Sequence, residues 1–142
     1  MAAMCSSPCR IGADIERPIA NPMLIIEEYF TPEETALCSG LTGQALALRS
    51  ALIWTVKEAL MKALEEGLRL STLSVGLSQL RKSVGFWQNA DVFIQQSEAN
   101  LNATARAWVH EGPEWVACIA VLAPPGVTIP DQVPSLVEVR TS

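Results

Sequence analysis

From about Gly43 to Glu66 the apolar residues Leu46, Ile53, Leu60 and Leu64 recur at helical spacing, and this stretch constrains the fold more than any other. A helix of that length carries an apolar stripe that has to be buried against a second layer of structure. Gly67 follows it as the residue suited to the left-handed position that ends a helix. Beyond Gly67 the character changes. Leu68 to Leu80, Val92 to Gln96, Leu101 to His110 and Trp115 to Leu122 read as strands, and Glu111-Gly112-Pro113-Glu114 supplies a turn between the last two.

Upstream of the long helix, Cys9 to Glu16 reads as a strand that stops before Pro18. Asn21-Pro22 permits a helix start, with proline at its favoured first position. In Phe30-Thr31-Pro32-Glu33-Glu34, Thr31 can cap a second helix and Glu34 can close a capping box, with the helix ending near Gly40. The order is a strand, three helices and a run of antiparallel strands. It predicts an α+β domain over residues 1–123, with the helices on one side of the sheet, followed by a Pro-rich tail over 124–142 that reads as loop or extended strap.

Composition narrows the function. A chain of 142 residues fits one domain that buries roughly 70% of its unfolded surface. At 49% hydrophobic and 18% charged it has more surface to bury than an average domain, which predicts a subunit or domain interface. A net charge of −5 argues against general nucleic-acid binding. Docking of an acidic partner needs a local basic patch, for which Arg49, Arg69, Arg81 and Lys82 are the candidates. Cys5, Cys9, Cys38 and Cys118 match no zinc spacing, and the single His110 cannot complete one. Met1 to Cys5 is too short and uncharged for a signal sequence, so reduced thiols and a cytoplasmic location are expected. Ala45 to Val56 is broken by Arg49 and falls short of the roughly 20 residues of a membrane span.

In this charge-poor chain, Gly12-Ala13-Asp14-Ile15-Glu16 and Trp54-Thr55-Val56-Lys57-Glu58-Ala59-Leu60-Met61-Lys62 carry three carboxylates and two lysines. Alternation along a strand puts Asp14 and Glu16 on one side, and the four-residue spacing puts Glu58 and Lys62 on one helix face. Brought together, these segments make three carboxylates beside one ammonium. Hard carboxylate oxygens suit Mg²⁺ and lysines suit phosphate oxygens, a combination fitted to a phosphate ester or pyrophosphate. Trp54 reads as packing that fixes the helix, His110 as a surface residue before a turn, and Trp87, Trp108 and Trp115 as cover for a sheet face or interface.

Both stretches resemble the signatures of the 4′-phosphopantetheinyl transferase superfamily. Gly12 to Glu16 is similar to its Gly-x-Asp-Ile-Glu strand end, and Trp54 to Lys62 match every fixed position of its Trp-[Ser/Thr]-x-Lys-Glu-Ala-x-x-Lys helix. Phe30 to Glu34, Gly67 to Leu70 and Val116 to Ala120 resemble further landmarks. The resemblance implies transfer of the phosphopantetheine arm of coenzyme A to a serine of an apo acyl, peptidyl or aryl carrier protein. It implies Asp14, Glu16 and Glu58 as Mg²⁺ ligands, Glu58 also as acceptor of the serine proton, Lys62 as a catalytic and phosphate-side lysine, and Lys57 as a second lysine near the phosphates. Larger members are pseudo-dimers with a Ser-His-Ser element ahead of Gly-x-Asp-Ile-Glu, which is not found here. The chain is therefore expected to be the second half of such a pseudo-dimer or one subunit of a trimer, with His110 or another residue serving a neighbour's nucleotide pocket. The alternatives are a catalytically incomplete fragment and a carrier-binding module without chemistry.

Overall fold

A computed structural model describes residues 8–65, 71–82, 85–95 and 102–131. Strand β1 (Arg10–Glu16) leads into helices α1 (Pro22–Tyr29), α2 (Pro32–Leu37) and α3 (Gly43–Leu64). Strands β2 (Val75–Leu80), β3 (Gln88–Ile94), β4 (Thr104–Glu111) and β5 (Val116–Ala123) follow. They form one antiparallel sheet in the order β1-β5-β4-β3-β2, so the first and last of the described strands are neighbours. The predicted α+β class and helix-then-strand order are as observed.

The long stripe does what its spacing demands. Leu52, Ile53, Val56, Ala59, Leu60 and Ala63 are buried against Val109, Val116, Cys118, Ala120 and Leu122 of the sheet. The α2 capping box is complete: the Thr31 amide donates to Glu34 Oε1 (3.0 Å), and the Glu34 amide donates to Thr31 Oγ1 (3.2 Å). At the end of α3 the left-handed residue is Glu65 (φ 59°), two positions before the glycine expected there. Its N–H bonds back to the carbonyls of Met61 and Lys62, and Arg10 Nη1 donates to the Leu64 carbonyl at 3.1 Å. Carbonyl groups at the helix end thus have partners before Gly67 is reached. Gly67, Arg69 and Cys5 lie outside the described residues.

Two strand boundaries differ from expectation. β2 begins only at Val75, because Ser71 accepts from the Leu73 amide and starts a short 3-10 turn over Thr72–Ser74. β3 begins at Gln88 rather than Val92, since Gln88–Ala90 pair with Ala107–Val109. The other sheet face has its own apolar cluster of Trp108, Val121, Ala123 and Ile129, with Trp87 and Val127 packed alongside. The extended run after Pro124 thus lies over the back of the sheet, and β5 is buried along its whole length.

β1 and α3 meet at Gly12. A Cβ there would overlap the Ala59 carbonyl and stand 2.6 Å from the Ala63 nitrogen. These are backbone atoms that cannot step aside. Gly12→Ala is expected to destabilise the fold by about 3 kcal/mol through overpacking, read from urea unfolding midpoints. A change within about 0.5 kcal/mol, the range of ordinary surface substitutions, would show that the contact is not a constraint.

Candidate active site

The Gly12 contact sets two segments side by side. Register with β5 pairs Gly12 with Ala120, Asp14 with Cys118 and Glu16 with Val116, all buried positions facing α3. Asp14 and Glu16 therefore continue from Gly12 along the helix-facing side of β1. From α3, Lys62 Nζ donates to Asp14 Oδ1 at 2.9 Å and to the Ala13 carbonyl at 3.3 Å. The Lys62 side chain is 52% exposed while that of Asp14 is only 11% exposed. The lysine can therefore reach a solvent-borne anion without leaving the aspartate.

Glu58 joins from the same helix. Its carboxyl is held above the ordinary range by burial first and then by the negative charge of Asp14, with Lys62 opposing. Glu16 is raised likewise, by burial, then by the charge of and hydrogen bonding with Asp14, then by Glu58. Glu16 thus registers both other carboxylates, and Glu58 registers Asp14. The structure brings Asp14, Glu16, Glu58 and Lys62 together as three carboxylates and one ammonium.

Lys57 is elsewhere. Its side chain is fully buried, its Nζ is 2.7 Å from Glu34 Oε1, and it donates to the carbonyls of Thr72 and Val75 (2.8 Å for the latter). The structure does not bring it to the carboxylate cluster: one residue from Glu58, it points about 100° around the helix toward β2. The sequence carried a signal for this. Lys57 lies four residues after Ile53 and three before Leu60, on the apolar stripe itself. Burial lowers its pKa, and the bond and charge of Glu34 work the other way.

Asp14 Oδ2 is buried and has no hydrogen-bond donor from the described backbone or side-chain N–H and O–H groups. Among the described residues no group of three or more His, Cys, Asp and Glu is placed so as to hold a metal ion by itself. An all-oxygen, partly formed donor set fits Mg²⁺, which takes one or two protein carboxylates and completes its shell with water and phosphate oxygens.

Beside Glu16 opens a groove of about 760 Å³, whose walls include Glu16, Arg17, Gln44 and Trp115. Arg17, which sequence reasoning did not single out, puts a guanidinium at its mouth. Trp115 connects to an aromatic group. His110 stacks on Phe86 (3.7 Å, 7°), lies 4.7 Å from Trp115, and its Nδ1 is 3.0 Å from the Phe86 carbonyl oxygen. Trp54 packs on Tyr29, and Trp108 is fully buried behind the sheet. The basic-patch candidates are partly spent on structure. Arg49 bonds the Leu37 carbonyl and Glu111, and Arg81 bonds Asp91. No helix among the described residues is long and apolar enough to cross a membrane.

A family profile described as the 4′-phosphopantetheinyl transferase superfamily matches residues 10–120. Similar solved structures include a holo-(acyl-carrier-protein) synthase from Bacillus anthracis in complex with CoA (3′,5′-ADP), with TM-score 0.59, 21% identity, and coverage of 81% of this chain and 96% of that one. The Thermotoga maritima holo-[acyl-carrier-protein] synthase gives TM-score 0.60 and 22% identity over 81% of this chain and 63% of that one. A Chronobacterium ammoniagenes ACPS–CoA complex gives TM-score 0.61 and 13% identity over 83% and 98%. At these identities the likeness is one of fold. No curated protein sequence matches.

The raised carboxyls have a pH signature. A folded pKa above the unfolded one means stability that is full below about pH 4.5 and is lost as pH rises through the folded value. Glu58→Gln removes one such group. The metal-free variant is expected to melt higher than the unsubstituted protein at pH 7, with the gap closing by about pH 4. Thermal unfolding across that range is the measurement, and a variant melting lower at pH 7 refutes the electrostatic reading.

Proposed function

The chain belongs to the 4′-phosphopantetheinyl transferase superfamily, and from that premise we propose that it moves the 4′-phosphopantetheine arm of coenzyme A onto a serine hydroxyl of an apo acyl or peptidyl carrier protein, in the cytoplasm and with Mg²⁺. The observation that carries the reading is the cluster of Asp14, Glu16 and Glu58 with Lys62, of which Glu16 also lines a groove. Among transferase chemistries it favours one in which a pyrophosphate is held, a hydroxyl is deprotonated and a phosphate-bearing leaving group is neutralised.

Asp14, Glu16 and Glu58 would hold the ion, with the unpartnered Asp14 Oδ2 as the vacant donor. When bound, Mg²⁺ supplies charge neutralisation on the pyrophosphate. The remaining work belongs to the chain. Glu58, its pKa raised by burial and then by the charge of Asp14, takes the proton of the serine hydroxyl directly or through water. The serine oxygen bonds to the phosphorus that bears the pantetheine arm, and the bond from that phosphorus to the 3′,5′-ADP oxygen breaks. Lys62, half-exposed and already beside Asp14, faces the charge that builds on the leaving group. Arg17 stands where the groove would receive a further phosphate.

The cluster stands on β1, an edge strand, beside an open groove, which favours a site completed by a neighbouring surface. Further copies of this chain, as in a trimer, are the neighbouring surface proposed here.

Incubation with coenzyme A, Mg²⁺ and apo carrier protein should add the arm to the carrier, followed by mass spectrometry, with specific activity rising with enzyme concentration as copies associate. Chelation and Glu58→Gln should each reduce turnover at least 100-fold. Full activity in Glu58→Gln removes the base and ligand assignment. No product at any concentration leaves the incomplete-fragment reading in its place.

A further inference from the structure

We propose that the buried Glu34–Lys57 pair is a positioning device that sets α3 against the sheet so that Glu58 and Lys62 stand where the reaction needs them. The proposal deepens the transfer reading and rests on it. Lys57 and Glu34 are both 0% exposed, so neither reaches solvent or substrate in this fold.

The pair is saturated. An ammonium has three protons to give, and here they meet Glu34 Oε1, the Thr72 carbonyl and the Val75 carbonyl. Glu34 Oε1 also accepts from the Thr31 amide, and its Oε2 accepts from the Leu77 amide at 3.2 Å. Those bonds tie the first turn of α2, the middle of α3 and the outer edge of β2 at one point. Gly76 makes room for it, since a Cβ there would stand 2.5 Å from Glu34 Oε2.

Net stability does not account for such a pair, because desolvation offsets most of the attraction between two buried charges and apolar residues of similar size often do as well. Its direction-dependent bonds do something that apolar packing does not. Leu52, Ile53 and Val56 tolerate small slides of a helix over a sheet, whereas three bonds on one ammonium allow a single rotation and axial setting. Gly12 pins α3 to β1, and Lys57 pins it to β2 at the opposite edge of the sheet. Glu58 is the next residue along the helix and Lys62 lies little more than one turn on, so their placement follows from that setting. Misplacement by about 1 Å can cost on the order of 100-fold in rate.

The test compares the unsubstituted protein with Glu34→Gln/Lys57→Met, which removes both charges together, using amide chemical shifts in the metal-free protein and steady-state kinetics. Positioning predicts altered shifts at Gly12 and Asp14, at the opposite edge of the sheet from the substitutions, and at Lys62, and kcat reduced about 10- to 100-fold with KM for coenzyme A little changed. Wild-type kcat with shifts confined to the surroundings of Glu34 and Leu77 overturns the proposal, leaving the pair as stabilisation only. A raised KM with kcat unchanged also overturns it, because Lys57 would then be contacting phosphate. If the double variant does not fold, Glu34→Gln alone supplies both readouts. If the unsubstituted protein transfers no arm, the transfer reading falls, while the shifts at Gly12, Asp14 and Lys62 still decide whether the pair sets α3.

Discussion

Everything the site can do depends on how close α3 comes to β1. At Gly12 the strand backbone lies against the carbonyl of Ala59 with no space for a methyl group, and Ala59 and Ala63 keep the helix side equally small. Close approach of two backbones brings their short polar side chains within reach of one another. Asp14 and Glu16 extend from the strand, Glu58 and Lys62 from the helix, and four charged groups share a space that a bulkier seam would have held apart. The arrangement is electrostatically unfavourable when no cation other than Lys62 is present. Burial first, and the charge of Asp14 after it, raise the Glu16 and Glu58 carboxyls, and the rest of the fold sustains that cost with its core.

Much of this was legible in the chain itself. Alternation in β1 and the four-residue spacing in α3 placed Asp14, Glu16, Glu58 and Lys62 correctly relative to their own elements, and a match to two signatures linked the elements. Lys57 is the instructive difference. Its resemblance to a phosphate-side lysine and its position on the apolar stripe pointed in opposite directions, and in the fold the stripe prevailed because Glu34 and two edge carbonyls compensate the buried charge. Helix ends were harder to read for a related reason. Arg10, distant in sequence, bonds the last carbonyl of α3, and no local pattern announces a cap donated from another element.

Apolar richness also has a different meaning once the sheet is seen from both sides. The excess predicted an interface, yet much of it is used internally: Trp108, Val121 and Ala123 face a strap whose Ile129 closes over them. Among the described residues the large apolar side chains left exposed are Ile15 on β1, Met23 and Leu24 on α1, Leu73 before β2, and Phe86 beside His110. Meanwhile the Glu34–Lys57 group occupies outward-facing amide and carbonyl groups of β2, so that edge of the sheet is partly blunted by side chains. The two edges thus differ in kind, one occupied by a structural ion pair and one bearing the charged groups of the site.

The strand order carries a consequence for how the protein is made. Among the described strands β1 comes first along the sequence, and its partner in the sheet is β5, which comes last. Until Val116 to Ala123 have been synthesised, the strand bearing Asp14 and Glu16 has no ladder to join, and its closure is the longest-range contact in the fold. The strand side of the site therefore waits on β5. A nascent or truncated chain can form helices and the β2–β3–β4 portion of the sheet, but it lacks the ladder that holds Asp14 and Glu16 in place. Competence for chemistry arrives only with the whole domain.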